Sequence, residues 1–295
     1  MSKKITILDG GMGRLLRKMG APFQYPEWSA LALMKAPKSV VKAHNAFIEA
    51  GAEIITTNNY AVIPFHIGQD RFDEQGRSLI KLSGEIARQC ANDAKSSVKV
   101  AGCLPPAFGS YRADLYDDKK ADDIYIPMIE ELEPYIDFWL AETISSVQEA
   151  QKIGELLKGN SKPFWLSFTV KDRADRKEKP QLRSNESIEQ AIETAKILNV
   201  SALLFNCSQV EEMKDVLDIV QKSDLKIPYG VYANAFEPIS QDQDVSTDGL
   251  TIREDNSVSD YLEHAKKWVS LGATIIGGCC GIGPEHIKGL KKLNS

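Results

Sequence analysis

The sequence predicts an α/β protein, a single (β/α)8 TIM barrel over residues 1–295. Three observations lead to this prediction: short apolar runs alternate with segments of helical period, the alternation occurs eight times, and no Gly/Ser linker or change of composition divides the chain. Repeated strand–helix–strand units require parallel pairing, and eight near-equal units favour a closed barrel over an open, doubly wound sheet.

Eight runs rich in Ile, Val and Leu are the predicted strands. In chain order they are Ile5 to Asp9, Glu53 to Asn58, Val98 to Cys103, Asp137 to Glu142, Phe164 to Thr169, Ala202 to Asn206, Tyr229 to Ala233 and Thr274 to Gly278. Each run precedes a segment of helical period, as the barrel requires.

The first helical pattern with clear boundaries begins at Ser39, which suits an N-cap, and ends at Gly51. Its apolar residues recur at a spacing near 3.6. Four further helices with an apolar stripe are predicted at Ser187 to Leu198, Gln209 to Gln221, Val258 to Leu271 and Pro284 to Leu293. Pro284 suits the first turn of the last of these helices.

Composition and charge argue against several classes of protein. The chain has a formal net charge of -5 with its lysines mixed among acids, whereas nucleic-acid binders concentrate Lys and Arg. No stretch approaches about 20 apolar residues, and the apolar run after the N-terminal lysines is too short for a secretion signal. We therefore expect a cytoplasmic protein without nucleic-acid or membrane partners.

The carboxyl ends of the strands define the expected site, because barrel enzymes form their sites there and in the loops that follow. The polar loops Arg173 to Asn185 and Glu237 to Asn256 both follow strands and should lie over this face. The predicted strand ends are Asp9 with the following GGMG, Thr56 to Asn59, Cys103, Glu142, Thr169, Asn206 with Cys207, Asn234, and Gly277 to Gly281.

Three of the five cysteines, Cys207, Cys279 and Cys280, occur at the ends of the sixth and eighth strands. These ends are next-but-one neighbours in a closed barrel, so the thiolates can converge on one cation. Three thiolates with one open position are typical of catalytic zinc. The alternatives are that the trio is simply buried or that the adjacent pair forms a strained disulfide. For the isolated Cys90, within a helical segment, we expect burial alone.

The motifs DGGMG (9–13), TTNNY (56–60), LLFNCS (203–208) and GGCCG (277–281), in this order and spacing, resemble those of the homocysteine S-methyltransferase family. The resemblance covers essentially the whole chain and extends to AGCLPPAFGSYRADL (101–115) and DFWLAETISS (137–146). The pairing of FNCS with GGCCG is its most specific part.

This resemblance implies a zinc-dependent barrel enzyme that moves a methyl group from a sulfonium or ammonium donor to homocysteine, giving methionine. It implies that one zinc ion per chain is held by Cys207, Cys279 and Cys280. It further implies that Glu142 holds the amino group of homocysteine. Other substrate-binding residues that it implies are Asp9 and Gly10 on the first strand and Thr57 and Asn58 on the second.

Four residues depart from the family pattern and concern the donor pocket more than the metal. Arg14 stands where a threonine is common, Cys103 where serine is common, and Ile282 with Gly283 where the family has two threonines.

The sulfonium donors S-methylmethionine and S-adenosylmethionine are favoured, with dimethylsulfoniopropionate, betaine and another thiol acceptor left open. Aromatic residues that could cage a cationic donor, or equally pack in the core, are Trp139, Trp165, Tyr111, Phe108 and Tyr232.

Two other functions remain open. A zinc store or sensor needs a fourth protein ligand, and the four histidines offer no obvious one. Aldol cleavage in a zinc barrel favours histidine and carboxylate ligands over three thiolates. For the assembly we expect a monomer or a weak homo-oligomer.

Overall fold

The computed structural model describes residues 4–173, 175, 179–238 and 250–294. Within them, eight parallel strands form one sheet with helices between successive strands, which confirms the predicted barrel. The strands are β1 Thr6–Ile7, β2 Ile54–Thr56, β3 Lys99–Leu104, β4 Phe138–Ile144, β5 Phe164–Phe168, β6 Ala202–Asn206, β7 Tyr229–Tyr232 and β8 Ile275–Ile276.

The sheet order β1-β8-β7-β6-β5-β4-β3-β2 runs around the barrel and leaves β1 next to β2. A parallel bridge between Leu8 and Ile54 joins these two strands. The backbone N–H of Glu53 also donates a 2.8 Å hydrogen bond to the carbonyl of Ile7. The contact between β1 and β2 therefore closes the ring, and β7 alone separates β6 from β8.

Eleven α-helices connect or follow the strands within the described residues. They are α1 Met12–Lys18, α2 Trp28–Lys35, α3 Pro37–Ala50, α4 Pro64–Ile67, α5 Gln69–Asp93, α6 Asp118–Leu132, α7 Val147–Leu156, α8 Ile188–Ile197, α9 Val210–Lys222, α10 Val258–Ser270 and α11 Pro284–Leu290. Ser187 and Ser257 cap α8 and α10 with capping boxes, which fixes where both helices begin. Cys90 lies buried within α5, as predicted.

Several predicted boundaries are wrong by one or more residues, among them those of α3, α11 and β4. Helix α3 begins at Pro37 rather than after a Ser39 cap, and Ala36 is its N-cap. The fixed φ of proline matches the backbone conformation of a first helical turn. Helix α11 ends at Leu290, and the chain continues as a 3-10 helix over Lys291–Asn294 instead of an α-helix to Leu293. Strand β4 runs on to Ile144, two residues beyond Glu142.

The core has two layers of apolar contact. The outer layer packs the helices against the barrel and includes the fully buried Phe47, Trp139 and Trp268. The inner layer fills the barrel with side chains such as Phe138 and Leu140, which leaves the open end of the strands for a site. In the described ranges, no helix combines the length and apolar character needed to cross a membrane.

Candidate functional site

One cavity opens at the carboxyl ends of the strands. It is lined by every residue that the sequence singles out for metal or substrate: Asp9, Gly10, Thr57, Asn58, Glu142, Cys207, Cys279 and Cys280. These residues come from five different strand ends, so only the closed barrel brings them to one place.

The three cysteines form a cluster at one side of this cavity. Their Sγ atoms all lie within 4.8 Å of one another, and those of Cys207 and Cys280 are 4.0 Å apart. Cys207 takes a left-handed backbone conformation, with φ of 50°, directly after β6. The residues after β7 bind the turn after β8, because Ala233 accepts from the Cys279 N–H and Ala235 donates to the Cys280 carbonyl.

This cluster fits a tetrahedral metal site. Zinc–sulfur bonds of about 2.3 Å at tetrahedral angles place sulfur atoms about 3.8 Å apart, close to the 4.0 Å between Cys207 and Cys280. Among the described residues it is the sole cluster of three or more potential His, Cys, Asp or Glu metal ligands. The residues after β6 and β8 can therefore supply three soft ligands and leave the side facing the cavity open.

The thiols of the cluster share their protons unequally. Hydrogen bonds from Cys279 and Cys280 lower the pKa of the Cys207 thiol well below its usual value. The same hydrogen bonding to Cys207 raises the pKa values of Cys279 and Cys280. Cys207 is therefore the first of the three to become a thiolate.

Tyr111 supports Cys207 from the segment that follows β3. Its hydroxyl lies 3.0 Å from both the Sγ and the carbonyl oxygen of Cys207 and donates to them. The guanidinium of the buried Arg183 lies over the Tyr111 ring, 4.4 Å from its centroid, and 3.6 Å from the buried Asp172. A donor backed by a buried cation thus faces the Cys207 sulfur.

Glu142 is held by two hydrogen bonds. The Cys103 thiol donates to one carboxylate oxygen at 3.1 Å, and the Tyr232 hydroxyl donates to the other at 3.3 Å. Burial raises the pKa of Glu142 to about 7. The carboxyl group is thus fixed in orientation and poised to change its charge near neutral pH.

A break in the pairing of β4 and β5, between Ala141 and Ile144, sets the direction of the Glu142 backbone. There Thr143 adopts a φ of 61°. The side chain of Asn206 accepts from the Thr143 N–H at 2.8 Å and donates to the Thr143 hydroxyl at 2.8 Å. Asn206 therefore holds the irregular segment of β4 beside the end of β6.

Asp9 is the second carboxyl group of the cavity and is buried. It accepts hydrogen bonds from the backbone N–H and the hydroxyl of Thr56 at 2.8 and 3.4 Å, rather than from the Gly10 to Gly13 turn. Burial raises the pKa of Asp9 to about 8, and the nearby Glu142 adds to the effect. The two carboxyl groups repel each other when both are ionised, which favours a cation between them.

The remaining predicted residues make hydrogen bonds or close contacts within the cavity wall. The Thr57 hydroxyl donates to the Asn59 side chain at 2.6 Å and accepts from the Cys103 N–H at 3.0 Å. Asn58 donates to the Ser29 carbonyl at 3.4 Å. A Cβ atom on Gly10 would lie 2.3 Å from the Ile282 carbonyl, so this position needs glycine.

The aromatic candidates divide into two groups. Tyr111 and Tyr232 line the cavity, whereas Trp139, Trp165 and Phe108 do not. Aromatic residues that also line it, and that the sequence did not single out, are Phe23, Tyr25, Trp28, Tyr60 and Phe236. The first three lie in or just after the loop between α1 and α2, where the aromatic run FQYPEW was the available signal.

The four departures from the family pattern lie in different surroundings. Arg14 lines the cavity. Cys103 is fully buried and binds Glu142. Ile282 is a core residue, and Gly283 caps α11, so neither lines the cavity. Residues 174, 176–178 and 239–249 of the two polar loops lie outside the described residues, but Leu250 lines the cavity.

The sequence profile of the homocysteine S-methyltransferase family matches residues 6–293. A selenocysteine methyltransferase from Astragalus bisulcatus is 27% identical over 99% of this chain and 93% of the plant protein. Homocysteine S-methyltransferase 2 from Arabidopsis thaliana is 28% identical over 97% of this chain and 92% of that protein. The homocysteine methyltransferase MmuM from Escherichia coli, in its metallated form, superposes with a TM-score of 0.79 at 25% identity and covers 99% of this chain and 96% of its own.

These matches extend over the barrel as a whole, including both strand ends that carry the cysteines. They confirm the predicted enzyme class, a methyltransferase that acts on homocysteine to give methionine. The chain belongs to the homocysteine S-methyltransferase family.

Proposed function

We propose that this enzyme uses one zinc ion, held by Cys207, Cys279 and Cys280, to transfer a methyl group from a cationic sulfonium donor to the thiol of homocysteine. The observation that carries the proposal is the cluster of three Sγ atoms within 4.8 Å of one another at the edge of a cavity. The same cavity contains two carboxyl groups, those of the buried Asp9 and the half-buried Glu142, which suit the ammonium group of an amino-acid substrate.

The choice of metal rests on the chemistry of the donor set. Three thiolates are soft ligands that select zinc over magnesium, calcium or manganese, and the E. coli relative has been solved in a metallated form. When bound, zinc lowers the pKa of a coordinated thiol and presents the sulfur of the substrate as a thiolate. No general base of the protein is then required.

Glu142 and Asp9 position the acceptor. An ionised Glu142 accepts a charge-assisted hydrogen bond from the α-ammonium group, and Cys103 and Tyr232 keep its carboxylate in place. Asp9, whose pKa burial raises to about 8, adds a second negative charge on the same wall when it is ionised. Gly10, Thr57 and Asn58 shape this part of the cavity, so that the acceptor sulfur is directed toward the cysteine cluster.

The methyl transfer is a displacement between a thiolate and a cation. The acceptor sulfur forms a bond to the methyl carbon, the bond between that carbon and the donor sulfonium breaks, and its electron pair stays on the departing sulfide. Charge disperses in this step, so removal of water does not oppose it. The three cysteine thiolates make the site negative, which attracts the cationic donor.

S-methylmethionine and S-adenosylmethionine are the donors that we favour. The aromatic lining of the cavity suits a sulfonium, because cations are attracted to the faces of aromatic rings. Dimethylsulfoniopropionate and betaine carry the same kind of cationic methyl group and belong in the same assay.

We propose further that the enzyme acts in the cytoplasm as a monomer or a weak homo-oligomer. All five cysteines are free thiols, and a thiolate metal site requires a compartment that keeps thiols reduced. Light scattering of the zinc-loaded protein measures its assembly.

The experiment is methionine formation from homocysteine by the zinc-loaded protein with each of the four donors, alongside metal-stripped protein and stripped protein given zinc again. We expect product with a sulfonium donor, loss of product on stripping and recovery on adding zinc. Selenocysteine serves as a second acceptor, since a relative is named for that substrate. Absence of product in every arm would favour metal storage, and product that survives stripping would contradict the role of zinc.

A further inference from the structure

We propose that Arg14 binds the carboxylate of the methyl donor and so makes this enzyme selective for carboxylate-bearing sulfonium compounds. The inference rests on the proposed function and deepens it, because it assigns the donor side of the cavity.

Arg14 brings a positive charge to a cavity wall that is otherwise acidic. Among the described residues that line the cavity, Arg14 is the one Lys or Arg side chain. The other ionisable groups of its wall are acids: two carboxyl groups, three cysteine thiols and the phenols of tyrosines. A guanidinium therefore faces a cavity whose expected ligands both carry positive charge.

The guanidinium of Arg14 lies on the side of the cavity that carries the cysteine cluster. Arg14 lies in α1, which follows β1, and its guanidinium packs over the ring of Phe236 at 5.3 Å. One terminal nitrogen donates to the carbonyl of Leu250 at 3.0 Å. Phe236 follows Ala235, the residue that binds the backbone of Cys280, so these contacts place the guanidinium on the side of the cavity that carries the cysteine cluster.

These contacts leave the guanidinium able to bind a ligand. A guanidinium has five N–H donors in a planar fork that matches a carboxylate, and the bond to Leu250 uses one of them. Within the described ranges, no carboxylate lies within 4.0 Å of the Arg14 nitrogens. Packing on Phe236 orients the fork without occupying its donors.

Arg14 lies away from the group proposed to hold the acceptor, homocysteine. In an α-amino acid the carboxylate and the ammonium are attached to the same carbon, so the acceptor carboxylate stays near the group that holds its ammonium. Glu142, proposed for that task, is fixed on β4 by Cys103 and Tyr232. Strand β4 is four strands away from β8, whose end carries Cys280 next to the Arg14 side of the cavity. Arg14 therefore faces the second substrate.

A cation at this position repels a sulfonium unless the donor brings its own negative charge. For a donor with a carboxylate, the guanidinium adds a charge-assisted hydrogen bond that offsets the repulsion. For a donor without one, repulsion alone remains. Arg14 should thus strengthen the binding of donors that carry a carboxylate and weaken the binding of donors that lack one.

The test compares S-methylmethionine with its carboxamide, S-methylmethioninamide, which keeps the sulfonium and ammonium but lacks the carboxylate. The zinc-loaded wild-type protein, Arg14→Gln and Arg14→Lys are assayed for kcat/KM with homocysteine and for equilibrium binding of each compound by calorimetry. Arg17→Gln is the matched control, because Arg17 lies in the same helix, is exposed and does not line the cavity.

We expect Arg14→Gln to lower kcat/KM and affinity for S-methylmethionine about 10- to 100-fold, the value of one charge-assisted hydrogen bond. The same variant should leave the carboxamide unchanged or improve it, and Arg14→Lys should recover part of the loss. Arg17→Gln should match the wild-type protein with both compounds.

Equal kcat/KM and equal affinity of the wild-type protein for the two compounds would overturn the proposal. So would an Arg14→Gln variant in which only the KM for homocysteine changes. Failure of the proposed function gives a different result. If the wild-type protein makes no methionine yet binds S-methylmethionine more tightly than the carboxamide, and Arg14→Gln abolishes that difference, the role of Arg14 stands without the methyl transfer.

Discussion

Glu142 combines features that a substrate-binding carboxylate needs. Cys103 and Tyr232 fix its orientation, and burial raises its pKa to about 7. The carboxyl group therefore changes its charge near neutral pH. Its charge, and with it the attraction for an ammonium group, increases as the pH rises through that value.

We predict that the KM of the wild-type enzyme for homocysteine falls as the pH rises from 6 to 8, with an apparent pKa near 7. Glu142→Gln keeps the shape of the side chain but cannot ionise. It should raise the KM about 10- to 100-fold at pH 8 and remove that inflection, while zinc content stays unchanged. Initial rates across this pH range check the prediction, and the pH dependence left in Glu142→Gln measures the titration of the substrate itself.

The same inflection in Glu142→Gln would assign the titration to another group. Loss of zinc together with loss of fold in this variant would instead make Glu142 a structural residue.

At the level of single residues, the sequence predicted those parts of the cavity that occur at strand ends. Cys207, Cys279, Cys280 and Glu142 all follow or end apolar runs, so the barrel rule indicated them before the structure did. Tyr111 lies in a loop whose path no periodic pattern specifies, so its bond to Cys207 was not foreseeable. The loop between α1 and α2 also lacks a periodic pattern, so the sequence did not predict that its aromatic residues line the cavity.

At the level of elements, the turns after β1 and β8 depend on each other. A Cβ atom on Gly11, the N-cap of α1, would lie 2.6 Å from the carbonyl oxygen of Cys279 and 3.0 Å from the Cα of Cys280. The start of α1 therefore presses against the backbone that carries two of the three thiols. Only glycine permits this approach without a shift of one of the two turns.

Gly11→Ala should consequently displace the turn after β8 and weaken zinc retention by about tenfold or more, with the barrel still folded. Competition with a chelator measures the retention, and circular dichroism checks the fold. Gly13→Ala is the matched control, because its Cβ meets the ring of Phe23, a side chain that can move, and alanine favours the helix. Equal retention in Gly11→Ala and the wild-type protein would show that this contact does not position the cysteines.

Element boundaries were less predictable than element order. All eight strands lie within or overlap their predicted runs, because apolar runs of this length report burial directly. Strand β4 passes Glu142 because the Asn206 side chain bonds the backbone and hydroxyl of Thr143, a contact between residues 63 positions apart. Helix α3 begins at Pro37, two residues before the predicted Ser39 cap, because proline favours the first turn of a helix.

At the scale of the whole molecule, closure of the ring is what brings the three cysteines together. Cys207 and Cys280 are 73 positions apart in sequence, and β7 holds their strands on either side of it. Strand β4 and the residue after β1 bring carboxyl groups to the same cavity, and α1 brings a guanidinium. The proposed chemistry of this cavity therefore depends on one claim, that the three thiols bind a single zinc ion.

Zinc content per chain, measured by mass spectrometry of the metal after gel filtration, tests that claim most directly. We predict about one zinc in the wild-type protein and in Cys103→Ala, whose thiol is equally buried but lies outside the cluster. Cys207→Ala should lose the metal and all methyl transfer, because the removal of one of three thiolates leaves too few protein ligands. Stoichiometric zinc in folded Cys207→Ala would contradict the account, since the ion would then be bound elsewhere.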